Sequence, residues 1–172
     1  DIFAYMSSDR EHALIDSLTN KELENIINDL YSDDVMELLE ELPANVVKRI
    51  IAASNPETRR DINHLLRYPE DSAGSIMTVE YVDLRSFMTI DDAIKRIRKN
   101  GVDSETINYS YVTDAQKHLL GVISLREIIL AKPDEKIEDL MDDNIITVTT
   151  LQDQEEVAKL FKKYDFAAMP VV

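Results

Sequence analysis

The stretch Tyr68-Pro69-Glu70-Asp71-Ser72-Ala73-Gly74-Ser75-Ile76-Met77-Thr78 divides this 172-residue chain into two halves of different character. Before it, apolar residues recur at three- and four-residue spacing, the period of amphipathic helices. After it, short runs rich in Val, Ile and Tyr alternate with helical patterns, the signature of an α/β unit. The division predicts an acidic helical domain over 1–67, a linker over 68–76 with Gly74, Glu70 and Asp71 as parts of a hinge, and a second architecture from Met77 onward.

Charge supports the division. The net charge is -15, and residues 1–41 carry twelve acids against two bases, whereas residues 42–67 carry two acids against five bases. Such a balance repels DNA, RNA and anionic lipid over much of the surface, so nucleic acid is not an expected partner. The plain reading of the acids is a solvated helical surface, and the sharper one is a carboxylate face that stays expanded until cations neutralise it. The absence of cysteine excludes a disulfide framework and thiolate metal sites. No apolar run has the roughly 18 to 20 residues of a membrane-spanning helix, and no signal peptide is recognisable, so a soluble fragment is expected, with any membrane segment beyond Val172.

Within the first half, Ser8-Asp9-Arg10-Glu11 and Thr19-Asn20-Lys21-Glu22 each fit a capping box and each predict a helix start. Ile2, Phe3 and Met6 have the spacing of the last turns of an earlier helix. Leu23, Ile26, Ile27, Leu30 and Tyr31 form one apolar face. Ser32 is expected to cap a third helix bearing Val35, Leu38, Leu39 and Leu42, with Asp33 and Asp34 at the positive end of its dipole. Pro43 interrupts the pattern before Val46, Val47, Ile50 and Ile51, and Asn55-Pro56 supplies an N-cap and first-turn proline for a fifth helix. Helices this short bury their faces only by stacking on neighbours, so a superhelical stack is expected.

The second half repeats itself. Met77 pairs with Met141, Val82 with Ile146, Asp91-Asp92 with Glu155-Glu156 and Ile97 with Phe161, all 64 residues apart. Tyr111-Val112 then corresponds to Val171-Val172 at a separation of 60. A duplicated β-α-β-β-α unit is expected over 77–136 and 137–172, the second copy incomplete.

This unit resembles the CBS domain, through Met77-Thr78, Gly121-Val122-Ile123-Ser124-Leu125-Arg126 and Phe166-Ala167-Ala168-Met169-Pro170-Val171-Val172. With the acidic stack, the junction, Asp153-Gln154-Glu155-Glu156-Val157-Ala158 and Tyr164-Asp165-Phe166, the whole chain resembles the cytosolic region of the MgtE family of magnesium transporters and channels. The resemblance implies an N domain plus a CBS pair that dimerises through its CBS domains. It also implies a transmembrane pore in cis beyond the fragment, at the cytoplasmic face of the cell membrane, with magnesium closing the pore.

The resemblance also assigns candidate ligands. Asp33 and Glu37 match acidic metal positions of the N domain and, four apart on one helix, share a face. Glu155 and Asp165 match positions in the CBS half, and a straight helix would hold them about 15 Å apart, so a bend or another chain is required for one ion to join them. Asp1 falls on a further family acidic position. Magnesium takes few carboxylates and keeps much of its water, so no compact motif is expected. For ATP the matching positions are Tyr109, Arg126 and Phe166, aromatic rings for adenine and a guanidinium for phosphate. Core packing for the rings and a pairing of Arg126 with Glu127 or another surface acid are the plain alternatives.

An enzyme is not expected. His12, His64 and His118 lie on separate elements, Met77, Met88 and Met141 have core spacing, and three scattered glycines make no phosphate loop. The competing readings are an adenine-nucleotide energy sensor and a helical scaffold for a basic partner.

Overall fold

The computed structural model describes residues 13–15, 17–40 and 42–172. The expectations placed on Asp1, on Ile2 to Met6 and on Ser8 to Glu11 lie outside the described residues. The chain divides into two compact units. One holds the described residues up to Val79 together with Thr150–Glu155, and the other holds Glu80–Thr149 and Glu156–Val172.

The first unit contains α1 (Asn20–Asp29), α2 (Ser32–Glu40), α3 (Ala44–Ala53) and α4 (Pro56–Leu65). Thr19 caps α1 through a complete capping box with Glu22, and the Asn55 side chain accepts the Glu57 and Thr58 N–H groups at 2.9 Å each, with Pro56 in the first turn of α4. Helix α2 begins at Ser32 itself, and the expected capping hydroxyl is buried and accepts the Val79 N–H at 3.1 Å. Helix α1 packs on α3 and α2 on α4. Each helix stacks on the next but one, so Leu23, Ile27, Val35, Leu39, Ile50, Ile62 and Leu65 meet in one core.

Two of the five bases in 42–67 are consumed by helix ends. Arg49 donates to Asn20 Oδ1 at 2.8 Å, to the Ile15 carbonyl at 3.3 Å and to the Leu18 carbonyl. Arg59 donates to the Ile51, Ala52 and Ser54 carbonyls at 2.9, 3.0 and 2.7 Å. Each guanidinium satisfies carbonyls that a helix leaves without partners at its C-terminal end.

The second unit is built on β1 (Tyr81–Arg85), α5 (Ile90–Asn100), β2 (Thr106–Thr113), β3 (Leu119–Ser124) and α6 (Leu125–Leu130). The sheet runs β1-β2-β3, with β1 parallel to β2 and β2 antiparallel to β3. In β1, Val82 and Leu84 are buried and Tyr81, Asp83 and Arg85 are not, the alternation of a strand with one covered face. Helices α7 (Ile137–Leu140) and α8 (Gln154–Tyr164) belong to the second copy. The ends of α8 lie 64 residues beyond those of α5, at 154 − 90 and 164 − 100, the interval of the sequence repeat. A parallel bridge between Val148 and Val171 reproduces the β1–β2 pairing in reduced form, since Val148 stands 64 residues after Leu84.

One buried group in this sheet lacks a hydrogen bond. Ser110 on β2 is 0% exposed and its hydroxyl has no partner among the described residues. An unpaired buried hydroxyl costs more than it returns, so Ser110→Ala is expected to raise stability by about 1 kcal/mol. Equilibrium urea unfolding checks this, and a loss of stability would show that the hydroxyl is satisfied.

Candidate functional site: a carboxylate-rich helical unit and a CBS-type pair

Helix α2 places the candidate acids. Asp33 and Glu37 stand one turn apart, Asp33 half-buried and Glu37 exposed, while Val35, Leu38 and Leu39 hold the opposite face in the core. Asp34 sits between them. Burial pushes its carboxyl above the ordinary range, and the charges of Asp33 and Glu37 push it further. Asp34 therefore sits in the field of its two acidic neighbours, an arrangement that a hard cation relieves and that oxygen-only ligands suit.

A second acidic group emerges from the fold. Glu40 at the end of α2, Glu70 and Asp71 of the junction, Ile76 and Gln154 line a pocket of about 260 Å³. Burial raises the Glu40 carboxyl, as do the charges of Glu70, Asp71 and Glu37. Asp71 adopts a left-handed backbone (φ 63°), and its carbonyl and Oδ1 accept the Gln154 N–H at 2.8 Å and Nε2 at 2.6 Å. Local sequence could not reveal this pocket, because Gln154 lies 83 residues from Asp71.

The junction is correspondingly well tied. Ser72, Ala73, Gly74 and Ser75 are buried. Ala73 and Gly74 donate their N–H groups to the Gln152 and Thr150 carbonyls at 2.7 and 2.8 Å, and Ser72 Oγ donates to the Pro69 carbonyl at 2.7 Å.

The candidates of the CBS half are placed separately. Glu155 lies in the first turn of α8, where its N–H is capped by Asp153 Oδ1 at 2.8 Å. Asp165 follows the end of α8 in a left-handed conformation (φ 54°). Among the described residues, no group of three or more His, Asp or Glu side chains is arranged to hold a metal ion.

Of the nucleotide candidates, Tyr109 is a half-buried residue of β2 and Arg126 is exposed on α6. Arg126 takes part in no ion pair among the described residues, and Glu127 is occupied in the Ser124 capping box at 2.7 and 2.8 Å. Phe166 is 37% exposed and stacks on Tyr164 at 5.4 Å with 18° between the rings, while Lys163 Nζ stands 4.6 Å from the Tyr164 centroid. Phe166 is thus part of an accessible aromatic surface, not of the core.

The raised carboxyls fix a direction for pH dependence. A carboxyl whose pKa is higher folded than unfolded binds protons more tightly in the native state, so its stabilising contribution grows as pH falls through the folded value and is absent above it. Asp34 and Glu40 both act this way, against ordinary values of 3.8 and 4.5. Asp114 acts oppositely. Burial would raise its carboxyl, but hydrogen bonds from the His118 N–H, the His118 ring and the Gln116 N–H outweigh burial and lower it, so its contribution is lost only below the ordinary carboxylate value of 3.8. The melting temperature of the helical unit is therefore expected to rise as pH is lowered from neutral toward the ordinary carboxylate values, and Glu40→Gln to raise it at neutral pH and flatten the profile. Calorimetry across that range checks both, and an unchanged midpoint would remove the carboxylate strain.

An acid-rich helical unit followed by a β-α-β-β-α module and a segment that repeats the first part of it defines a regulatory class, a helical N domain with a CBS pair. Residues 1–71 match the MgtE intracellular N domain, and residues 73–134 and 137–172 match the CBS domain. The chain belongs to the MgtE family. It is 39% identical over 146 residues to the magnesium transporter MgtE of Bacillus subtilis (85% of this chain, 32% of that protein). To the MgtE of Thermus thermophilus it is 44% identical over 118 residues (69% of this chain, 26% of that protein). The chain thus spans about a third or less of the length of these curated relatives, which are named as transporters and not as enzymes. Among solved structures, the cytosolic domain of the Mg2+ channel MgtE in complex with ATP superimposes with a TM-score of 0.91 at 37% identity, over 97% of this chain and 68% of that one. The soluble part of a magnesium transporter superimposes with a TM-score of 0.82 at 28% identity, over 99% of this chain and 77% of that one. Among the described residues no helix is long and apolar enough to cross a membrane.

Proposed function

We propose that this chain is the magnesium-sensing regulatory region of a magnesium transporter, acting at the cytoplasmic face of the membrane. The observation that carries the reading is the mutual repulsion on α2, where the Asp34 carboxyl is raised by burial and by its neighbours Asp33 and Glu37. Binding of Mg2+ by carboxylates of the helical unit (Asp33, Glu37, Asp1) and of the CBS half (Glu155, Asp165) removes that repulsion. A compact homodimer joined through the CBS domains is then favoured, provided the ions bind it more tightly than the open form. In the whole transporter, compaction closes the pore and limits uptake. Small-angle scattering and limited proteolysis with and without millimolar Mg2+ test this. Compaction and slower cleavage are expected, and an unchanged envelope with unchanged cleavage would sink the reading.

ATP is a second ligand of the same region. The relative of known structure with the 0.91 TM-score was solved in complex with ATP, and here Arg126 is an exposed cation with no ion pair among the described residues while Phe166 offers a stacked face. Calorimetric titration with ATP tests this reading independently of magnesium, with Phe166→Ala and Arg126→Ala expected to weaken binding.

A further inference from the structure

Asn100-Gly101 is the chain's one Asn-Gly pair, and its glycine is imposed by packing. A Cβ at position 101 would lie 2.6 Å from Ile107 Cγ2 and 2.6 Å from the Ile97 carbonyl oxygen, while φ is -71°, so the need is for space and not for a left-handed backbone. Asn100 is the last residue of α5, and its side chain makes no hydrogen bond among the described residues. Asn-Gly is the pair most prone to intramolecular imide formation, since no side chain on the following residue hinders attack by its backbone nitrogen. Here that nitrogen is engaged: the Gly101 N–H donates to the Ile97 carbonyl at 2.7 Å. The Asn100 carbonyl in turn accepts the Asp103 N–H at 3.2 Å and the Ser104 hydroxyl at 3.1 Å.

We propose that Asn100-Gly101 is a spontaneous deamidation site whose rate is set by the C-terminal cap of α5. Conversion proceeds from the frayed helix end. The Gly101 nitrogen, having given up its proton, attacks Asn100 Cγ, the new C–N bond closes a five-membered imide, and ammonia leaves with the carboxamide nitrogen. Water then adds to one of the two imide carbonyls and breaks its bond to nitrogen, leaving aspartate or isoaspartate. The sum is amide plus water giving carboxylate plus ammonium, with no oxidant or reductant.

Either product places a negative charge at a helix C-terminus, where the dipole is already negative, beside Arg98 and Lys99. Isoaspartate also adds a methylene to the main chain and cannot restore the Gly101–Ile97 bond. The change would loosen the link from α5 to β2, the strand that carries Tyr109.

The test is peptide mapping by mass spectrometry, with enzymatic isoaspartate detection, on the protein held in warm, mildly alkaline buffer with and without denaturing urea. In urea Asn100 should convert faster than any other asparagine. In the folded protein its rate should fall by at least about tenfold, because reaction waits on local opening. Ser104→Ala, which removes one bond to the Asn100 carbonyl, should speed conversion several-fold in the folded protein and leave the urea rate unchanged. Equal rates folded and unfolded would overturn the proposal. Stability of Asn100 in urea, or an equal effect of Ser104→Ala in both states, would overturn it as well.

Discussion

Asp33→Asn combined with Glu37→Gln is expected to abolish most of the stabilisation that magnesium gives the helical unit. An ion that binds only the folded state stabilises it by about 2.7 kcal/mol at a hundredfold excess over its dissociation constant. Loss of both carboxylates leaves a hard cation neutral amide oxygens at these two positions, and magnesium exchanges its water for those reluctantly. The same change should make the metal-free protein more stable, because Asp34 then no longer faces the charges of Asp33 and Glu37. These opposite signs separate a lost ligand from a damaged fold, since damage lowers the melting temperature whether or not metal is present. Thermal melts at fixed ionic strength, with and without Mg2+, decide the matter. A wild-type magnesium shift in the double variant would remove α2 from the binding surface.

The fold was legible where local rules and global packing agree. Thr19 and Glu22 make their capping box, and Asn55 and Pro56 start α4 as read. Each of these signals resides within four residues and survives any tertiary context. Ser32 shows the limit. A serine preceding two aspartates reads locally as a cap, yet its hydroxyl accepts the amide of Val79, a partner 47 residues away that no window of sequence contains. Strand β2 shows another, running from Thr106 to Thr113 although its Tyr- and Val-rich run begins only at Tyr109. Pairing of Thr106 with Tyr81 of β1 carries the strand back past Ile107 and Asn108, whose own pattern is weak.

Less of the candidate site was legible, for a comparable reason. Spacing of four residues puts Asp33 and Glu37 on one face of α2, but nothing in it shows that burial acts on Asp34 between them. The pocket of Glu40, Glu70, Asp71 and Gln154 joins three separated segments, and the bridge between Ser72 and Asp153 ties the second to the third. Arg126 illustrates a choice settled by chemistry. Glu127, its proposed partner, is drawn to the Ser124 amide and hydroxyl, because a capping carboxylate gains two short hydrogen bonds there.

Gly74→Ala is expected to be the most damaging single substitution in the junction. The added Cβ would stand 2.5 and 2.7 Å from Cγ and Cδ1 of Tyr68 and 2.9 Å from the Thr150 carbonyl oxygen. Two relaxations are open to the chain. The Tyr68 ring can swing out, giving up its packing on the helical core and its edge contact with His64 at 5.5 Å. Alternatively, residues 150–154 can withdraw, breaking the bonds from Ala73, Gly74 and Gln154 at 2.7, 2.8 and 2.8 Å. Overpacking of this kind costs about 1 to 3 kcal/mol, and each lost hydrogen bond adds about 1 kcal/mol, so a loss of roughly 2 to 4 kcal/mol is expected. At about 2 to 4 °C per kcal/mol for a chain of this size, the melting temperature should fall by roughly 5 to 15 °C. Hydrogen exchange locates the damage: faster exchange at Ala73, Gly74 and Gln154, with the β2 and β3 amides unchanged, is the expected pattern, and near-wild-type stability would mean that the ring yields freely. The outcome bears on the junction as a joint, because a segment whose amides are held this way moves only by breaking those bonds, and Gly74 is where a methyl group would already force them apart.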